Sequence, residues 1–263
     1  MKSPKRLRNV GGHFSHPVER SRSFTDAHLG ELLLSPTELG EPRLLPTLAV
    51  LAAAGLYATM PARFIVGPSA GLFSVARLVV PALTIVLLLL LLAAVPRGRL
   101  GRWLGLGVDR VLVGRRILAF AVIALISAAN AAAIVVLVHL LVNGAQTVAS
   151  ALLRASIHIW CVNVLVFALW YWELDNGGPV ARRTARADGR DFLFPQQTLA
   201  EVYPEWQPLF LDYLYLSFTN ATAFSPTDTM PLSRWAKMLM LVESAASLLL
   251  AIMVAARAVN ILK

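Results

Sequence analysis

The chain has one cysteine, Cys161, so it can form no internal disulfide and no multi-cysteine metal site. Its place inside an apolar run makes a small buried apolar residue its expected role. Histidine is also scarce: of the five present, only His139 and His158 fall within apolar runs. The sequence contains no phosphate-binding glycine loop, no metalloprotease His-Glu pair, no Gly-x-Ser-x-Gly elbow and no serine-histidine-aspartate set. An enzyme is therefore not expected, and neither is a cofactor. Acidic residues number 15 against 24 lysines and arginines, a formal net charge of +9. In a soluble protein that balance would point to nucleic acid. Here the basic residues gather beside hydrophobic segments, where they act as topology signals, and nucleic acid is not an expected partner. Lys2, Lys5, Arg6 and Arg8 are followed by no apolar core with a small-residue cleavage site, so this region does not read as a cleavable signal peptide.

What the chain does have is apolar length. With 57% hydrophobic residues and a mean hydropathy of +0.65, it reads as an all-α, polytopic membrane helix bundle of five to six transmembrane helices. Residues 1–43 form a polar tail, expected to be cytoplasmic and largely flexible, in which 26–34 could lie on the membrane surface as a short amphipathic helix. Residues 44–263 form the transmembrane domain, with spans at about 44–60, 78–95, 117–142, 147–174, 208–224 and 235–260. The second is centred on an unbroken leucine run, which has no polar partner to seek and is expected to face lipid.

Charge sets the orientation. Arg97, Arg99, Arg102, Arg110, Arg115 and Arg116 face a single acid, Asp109, and a second basic group comprises Arg182, Arg183, Arg186 and Arg190. The turn at 143–146 is uncharged. Because basic loops stay in the cytoplasm, the N-terminus is placed inside a bacterial-type cytoplasmic membrane, with the lipid bilayer as obligatory partner. The aromatic cluster Trp170, Tyr171 and Trp172 reads as an interfacial belt. Asp188, Asp191, Glu201 and Glu205 read as a solvated loop.

The stretch 208–260 carries the functional hypotheses. An apolar and aromatic run, 208–224, reaches the polar turn Ser225-Pro226-Thr227-Asp228-Thr229, and a second apolar run follows. This layout resembles the pore helix, filter and inner helix of two-transmembrane potassium channels: Tyr215, Ser217, Phe218, Thr222, Asp228, Pro231 and Arg234 match that pattern. Ser225, Pro226 and Thr227 stand where the resemblance calls for Gly-Tyr-Gly. Filter glycines adopt conformations that a Cβ or a proline ring disfavours, so potassium selectivity by stacked carbonyls is not expected. The combination of VFALWYWELDNGGP, DFLFPQ and DYLYLSFTNATAFSPTDTMPLSRWAK is similar to a bacterial family of integral membrane proteins of unknown function, a resemblance that implies almost nothing about activity.

Two functions stay open. In the first, the protein is channel- or transporter-like and oligomeric, passing an inorganic ion or small solute, with Asn220, Thr222, Ser225, Thr227 and Asp228 at the pore mouth. In the second, it is a non-conducting scaffold or accessory subunit, and the same residues form an interfacial turn with Asp228 capping the next helix. The fifth segment either crosses fully or dips and returns. Arg154 and His158 share a helix face, and Glu243 lies inside the last span beside Ser244 and Ser247. A carboxylate there needs a partner, and Arg154 or His158 would serve, giving an intramembrane polar network of Arg154, His158 and Glu243; the alternative is that Arg154 snorkels to the outer interface.

Overall fold

The computed structural model describes residues 43–60, 76–94, 108–142, 149–182, 189–199, 201–204, 206–222 and 228–261. The tail up to residue 42, the surface helix expected at 26–34, the arginines at 97, 99 and 102, the turn at 143–146 and the Ser225-Pro226-Thr227 turn lie outside the described residues. The elements run α1 (Leu44–Thr59), α2 (Ala76–Ala93), α3 (Val108–Val142), α4 (Ala149–Leu174), a 3-10 turn (Asp175–Gly177), β1 (Phe192–Leu193), α5 (Pro195–Thr198), α6 (Phe210–Thr222), β2 (Met230–Pro231) and α7 (Arg234–Ile261). Three of the helices contain stretches long and apolar enough to cross a membrane, Arg110–Val142, Leu153–Gly177 and Arg234–Ala255, and two shorter ones, α1 and α2, are equally apolar in character. The described residues form a helical bundle, and by length and composition these helices suggest a membrane protein.

Helix α4 is the hub, packing on α1, α3, α6 and α7, while α2 covers α1 and α3. Small residues permit the close approach: Ala49, Ala53 and Ala54 of α1, Ala129 and Ala133 of α3 and Ala155 and Ala168 of α4 are all buried. As expected, the leucine run of α2 turns outward, with Leu78, Leu83, Leu89 and Leu90 exposed; Pro81, Thr84 and Leu88 are the buried residues on its inner face. Thr84 disposes of its hydroxyl within the helix by donating to the Val80 carbonyl at 2.8 Å.

Two expectations need correction. Helix α3 begins at Val108, not near residue 117, so Arg110, Arg115 and Arg116 stand on a helix. Apolar residues at 108, 111 and 112 continue the helical period through the basic cluster, and Val111 is buried. The aromatic cluster is not a lipid-facing belt either: Tyr171 and Trp172 are buried, and the Trp170 indole donates to Ser127 at 2.9 Å.

One end of the bundle is closed by a knot of chain following α4. The β1 and β2 strands pair antiparallel, Phe192 opposite Pro231 and Leu193 opposite Met230. Beneath them Phe192 is fully buried, its ring meeting Tyr171 at 5.3 Å, Trp235 at 5.9 Å and Tyr213 at 6.4 Å. Asp175 accepts hydrogen bonds from the backbone N–H groups of Asp191 and Phe192 and from the Tyr213 hydroxyl. Buried Arg182, 3.6 Å from Asp175, also donates to the carbonyls of Trp172 and Asp175 and lies over the Tyr213 ring. The expected solvated, topology-marking role of Arg182 is thus replaced by a structural one. Asp191, too, is more than a solvated acid, since it accepts from the Trp235 indole at 2.7 Å and from the Asn176 N–H at 2.9 Å.

The knot fixes the direction of the helices around it. Tyr213, at the start of α6, reaches Asp175, and Trp235, at the start of α7, reaches Asp191, so both helices begin at the same end of the bundle. They run parallel to each other and antiparallel to α4. Asp212 secures the start of α6 as half of a capping box, its carboxylate accepting from the Leu209 N–H at 2.7 Å.

Reversal after α4 depends on Asn176, Gly177 and Gly178, all with positive φ. At Gly178, with φ +96, a Cβ would stand 2.9 Å from the Glu173 carbonyl oxygen. Gly178→Ala is expected to lower stability by about 1–3 kcal/mol, read as a lower midpoint of thermal unfolding in detergent. An unchanged midpoint would mean that the turn relaxes without strain.

Candidate functional site

The interior where α4, α6 and α7 meet carries two neighbouring groups of polar side chains in an apolar surrounding. At the centre of the first is Glu243 of α7, with no exposed surface. Its Oε2 accepts from the Tyr171 hydroxyl at 2.5 Å and from Asn220 Nδ2 at 2.6 Å, and its Oε1 meets the Ser217 hydroxyl. Asn220 also donates to the Met240 carbonyl at 3.0 Å, and Ser244 donates to the Asn220 side-chain oxygen at 2.9 Å. One helical turn further along α7, Ser247 accepts from Asn163 of α4 at 3.1 Å, and Asn163 in turn accepts from Asn130 of α3 at 3.2 Å. The line ends at the Asn130 side-chain oxygen, which is buried and has no hydrogen-bond partner.

The helical period explains how the group assembles. On α6, Tyr213, Ser217 and Asn220 recur at i, i+4 and i+7 and so share one face; Glu243 and Ser247 do the same on α7. Polar residues on one stripe of an otherwise apolar helix need polar neighbours, and these two stripes face each other across α4.

Among the described residues no lysine, arginine or histidine pairs with Glu243. The expected partners, Arg154 and His158, are on the wrong level of α4: at 1.5 Å per residue they lie ~25 and ~20 Å along the axis from Tyr171. Arg154 is exposed, and His158 Nδ1 is 2.7 Å from the Arg154 carbonyl within the same helix. The expected network of Arg154, His158 and Glu243 is therefore corrected to Tyr171, Ser217, Asn220 and Glu243.

Of the residues expected at a pore mouth, the described ones, Asn220, Thr222 and Asp228, are not joined to one another by hydrogen bonds. Asn220 joins the Glu243 group, whereas Thr222 turns back to the Thr219 carbonyl at 2.8 Å. Asp228 is exposed beside β2, where Thr229 contacts it at 3.4 Å. Ser225 and Thr227 lie outside the described residues.

The Ser217 hydroxyl gives the site chemistry as well as packing. It has one proton and two acceptors in reach, Glu243 Oε1 and the Val164 carbonyl at 2.8 Å. Donating to Glu243, it is one of three donors to the carboxyl group, with Tyr171 and Asn220. Donating to Val164, it leaves its own oxygen to accept from a protonated carboxyl group. The hydroxyl thus suits either protonation state of Glu243. Tyr171, Ser217 and Asn163 were not singled out by sequence as site residues; the i, i+4, i+7 polar stripe on α6 was the available signal.

A scan against protein-family models finds no match for this chain, and searches of curated proteins and of solved structures find none.

Proposed function

We propose that the protein moves protons or a small cation across a membrane, in the manner of a channel or transporter without a potassium filter, and that Glu243 is the group that takes up and releases the charge. The observation carrying this reading is a fully buried carboxyl group whose side-chain partners, among the described residues, are hydroxyl and amide groups. A lone ionised carboxylate in that setting is too costly to persist, so the group carries a proton or holds a cation. The row of polar groups on to Ser247, Asn163 and Asn130 extends the same reading towards a path.

The topology proposed with it has five crossing helices, α1 to α4 and α7, with α6 re-entrant. In its support, α6 has 13 residues, ~20 Å of helix against a hydrocarbon layer of ~30 Å. Basic residues favour the end bearing Arg110, Arg115 and Arg116 as the cytoplasmic one.

The test is flux in liposomes containing the purified protein, with proton, sodium, potassium and chloride gradients applied in turn. Flux under the proton gradient or one of the cation gradients is expected. Silence in all of them, from protein shown to be folded, would instead favour a non-conducting scaffold. Asp228→Asn is expected to leave flux unchanged, because Asp228 is exposed and apart from the Glu243 group. A loss of flux in that variant would return the pore mouth to the 225–228 turn.

A further inference from the structure

A second site lies away from Glu243, at the end of the bundle that carries α3's arginines. There the start of α1, the end of α2, the start of α3 and the turn after α4 enclose a cavity of about 360 Å³. Its lining includes the apolar side chains of Leu88, Leu91 and Leu92 from α2, and the charged residues Arg43, Arg115, Arg116 and Glu173. Three arginines and one glutamate thus share the lining. Burial lowers the proton affinity of Arg43, and the Glu173 carboxylate acts on it in the opposite sense, which engages that carboxylate with Arg43. Arg116 rests over the Phe120 ring at 5.4 Å.

Arg115 is different. Its side chain is 6% exposed, and its Nε and Nη1 are buried without a hydrogen-bond partner. A buried guanidinium with idle donors is costly, and an arginine in the wall of a cavity brings a charge and a guanidinium fork suited to a phosphate or carboxylate. Leucines of α2 in the same lining give the cavity the composition an amphiphile needs, charge for a head and hydrocarbon for a body. Basic pockets between membrane helices on the cytoplasmic side are where anionic headgroups bind.

From this geometry we infer that the cavity between α1, α2, α3 and the turn after α4 is a binding site for an anionic phospholipid, its phosphate held by Arg115 and its acyl chain laid along the α2 leucines. The site does not depend on Glu243 or on transport.

The test compares phosphatidylglycerol, phosphatidylcholine and inorganic phosphate added to delipidated protein in detergent, with retention read by native mass spectrometry and stability by thermal unfolding. Phosphatidylglycerol is expected to be retained and to raise the unfolding midpoint, phosphatidylcholine and phosphate to do neither. Arg115→Met, which fills the same space without donors, is expected to weaken phosphatidylglycerol retention by about 10- to 100-fold. The same variant should unfold no more readily than the parent when both are delipidated, because it removes an unsatisfied buried group. Arg115→Lys keeps the charge without the fork and should fall between the two. Equal retention of both lipids, or undiminished phosphatidylglycerol retention by Arg115→Met, would overturn the inference. A stabilisation reproduced by inorganic phosphate alone would also overturn it, by assigning the site to a free anion.

Discussion

Glu243→Gln is expected to reduce ion flux through the reconstituted protein to the background of protein-free vesicles while leaving the bundle folded. Glutamine keeps the shape of the side chain. Its amide oxygen accepts from Tyr171 and Asn220, and its NH2 donates to Ser217, which then turns to the Val164 carbonyl. Stability should change by no more than about 1 kcal/mol, the net value of one exchanged hydrogen bond. What glutamine cannot do is gain or lose a proton. Infrared difference spectra should accordingly show a carboxylic C=O band in the parent that is absent from the variant. Ser217→Ala separates the two parts of the idea: it leaves the carboxyl group but removes the rotating hydroxyl, and it should slow flux without abolishing it. Parent-like flux in Glu243→Gln would remove Glu243 from the path.

Arg182→Met is expected to be the most destabilising single change at the capped end, by about 3–5 kcal/mol, since it strips a buried ion pair of one member. The guanidinium it removes serves the Trp172 and Asp175 carbonyls, the Asp175 carboxylate and the face of Tyr213. The knot that orients α6 and α7 hangs on that one side chain. Adding Asp175→Asn to Arg182→Met should recover part of the loss, because the second change removes the charge left unpaired by the first. The double-mutant cycle, read by thermal unfolding in detergent, should therefore be non-additive. Additive effects would mean that the two residues stabilise the knot separately.

Hydropathy made the helices legible, because a run of apolar residues states its own preference for lipid or core. It did less well at the ends of those runs. Arg115 and Arg116 looked like a loop by charge, although the apolar period at 108, 111 and 112 carries the helix beneath them. Trp172 and Tyr171 looked interfacial by residue type, although packing buries them. Glu243 stood out by itself, as any carboxyl group in a span does, but its partners did not. Periodicity tells which residues share a face of one helix, and it is silent on which helices are neighbours and at what level. Arg154 was selected for its charge, while the groups that do reach Glu243 are a tyrosine, a serine and an asparagine, residue types common enough to attract no notice. The buried Arg182 was hidden in the same way, inside a basic cluster that reads as solvent-facing.

The parallel start of α6 and α7 at the capped end bears on the order in which the chain is made. Helix α6 leaves the ribosome ahead of α7, and at that moment Ser217 and Asn220 have nothing across from them but α4. The strand that closes the knot, β2, and the carboxyl group that occupies the polar stripe both arrive later, with α7. A nascent chain halted before Met230 would therefore lack more than one helix: it would hold α6 with an unfilled polar stripe and without the strand that closes the knot. The polar stripe of α6 is therefore satisfied only when the carboxyl group of α7 reaches it.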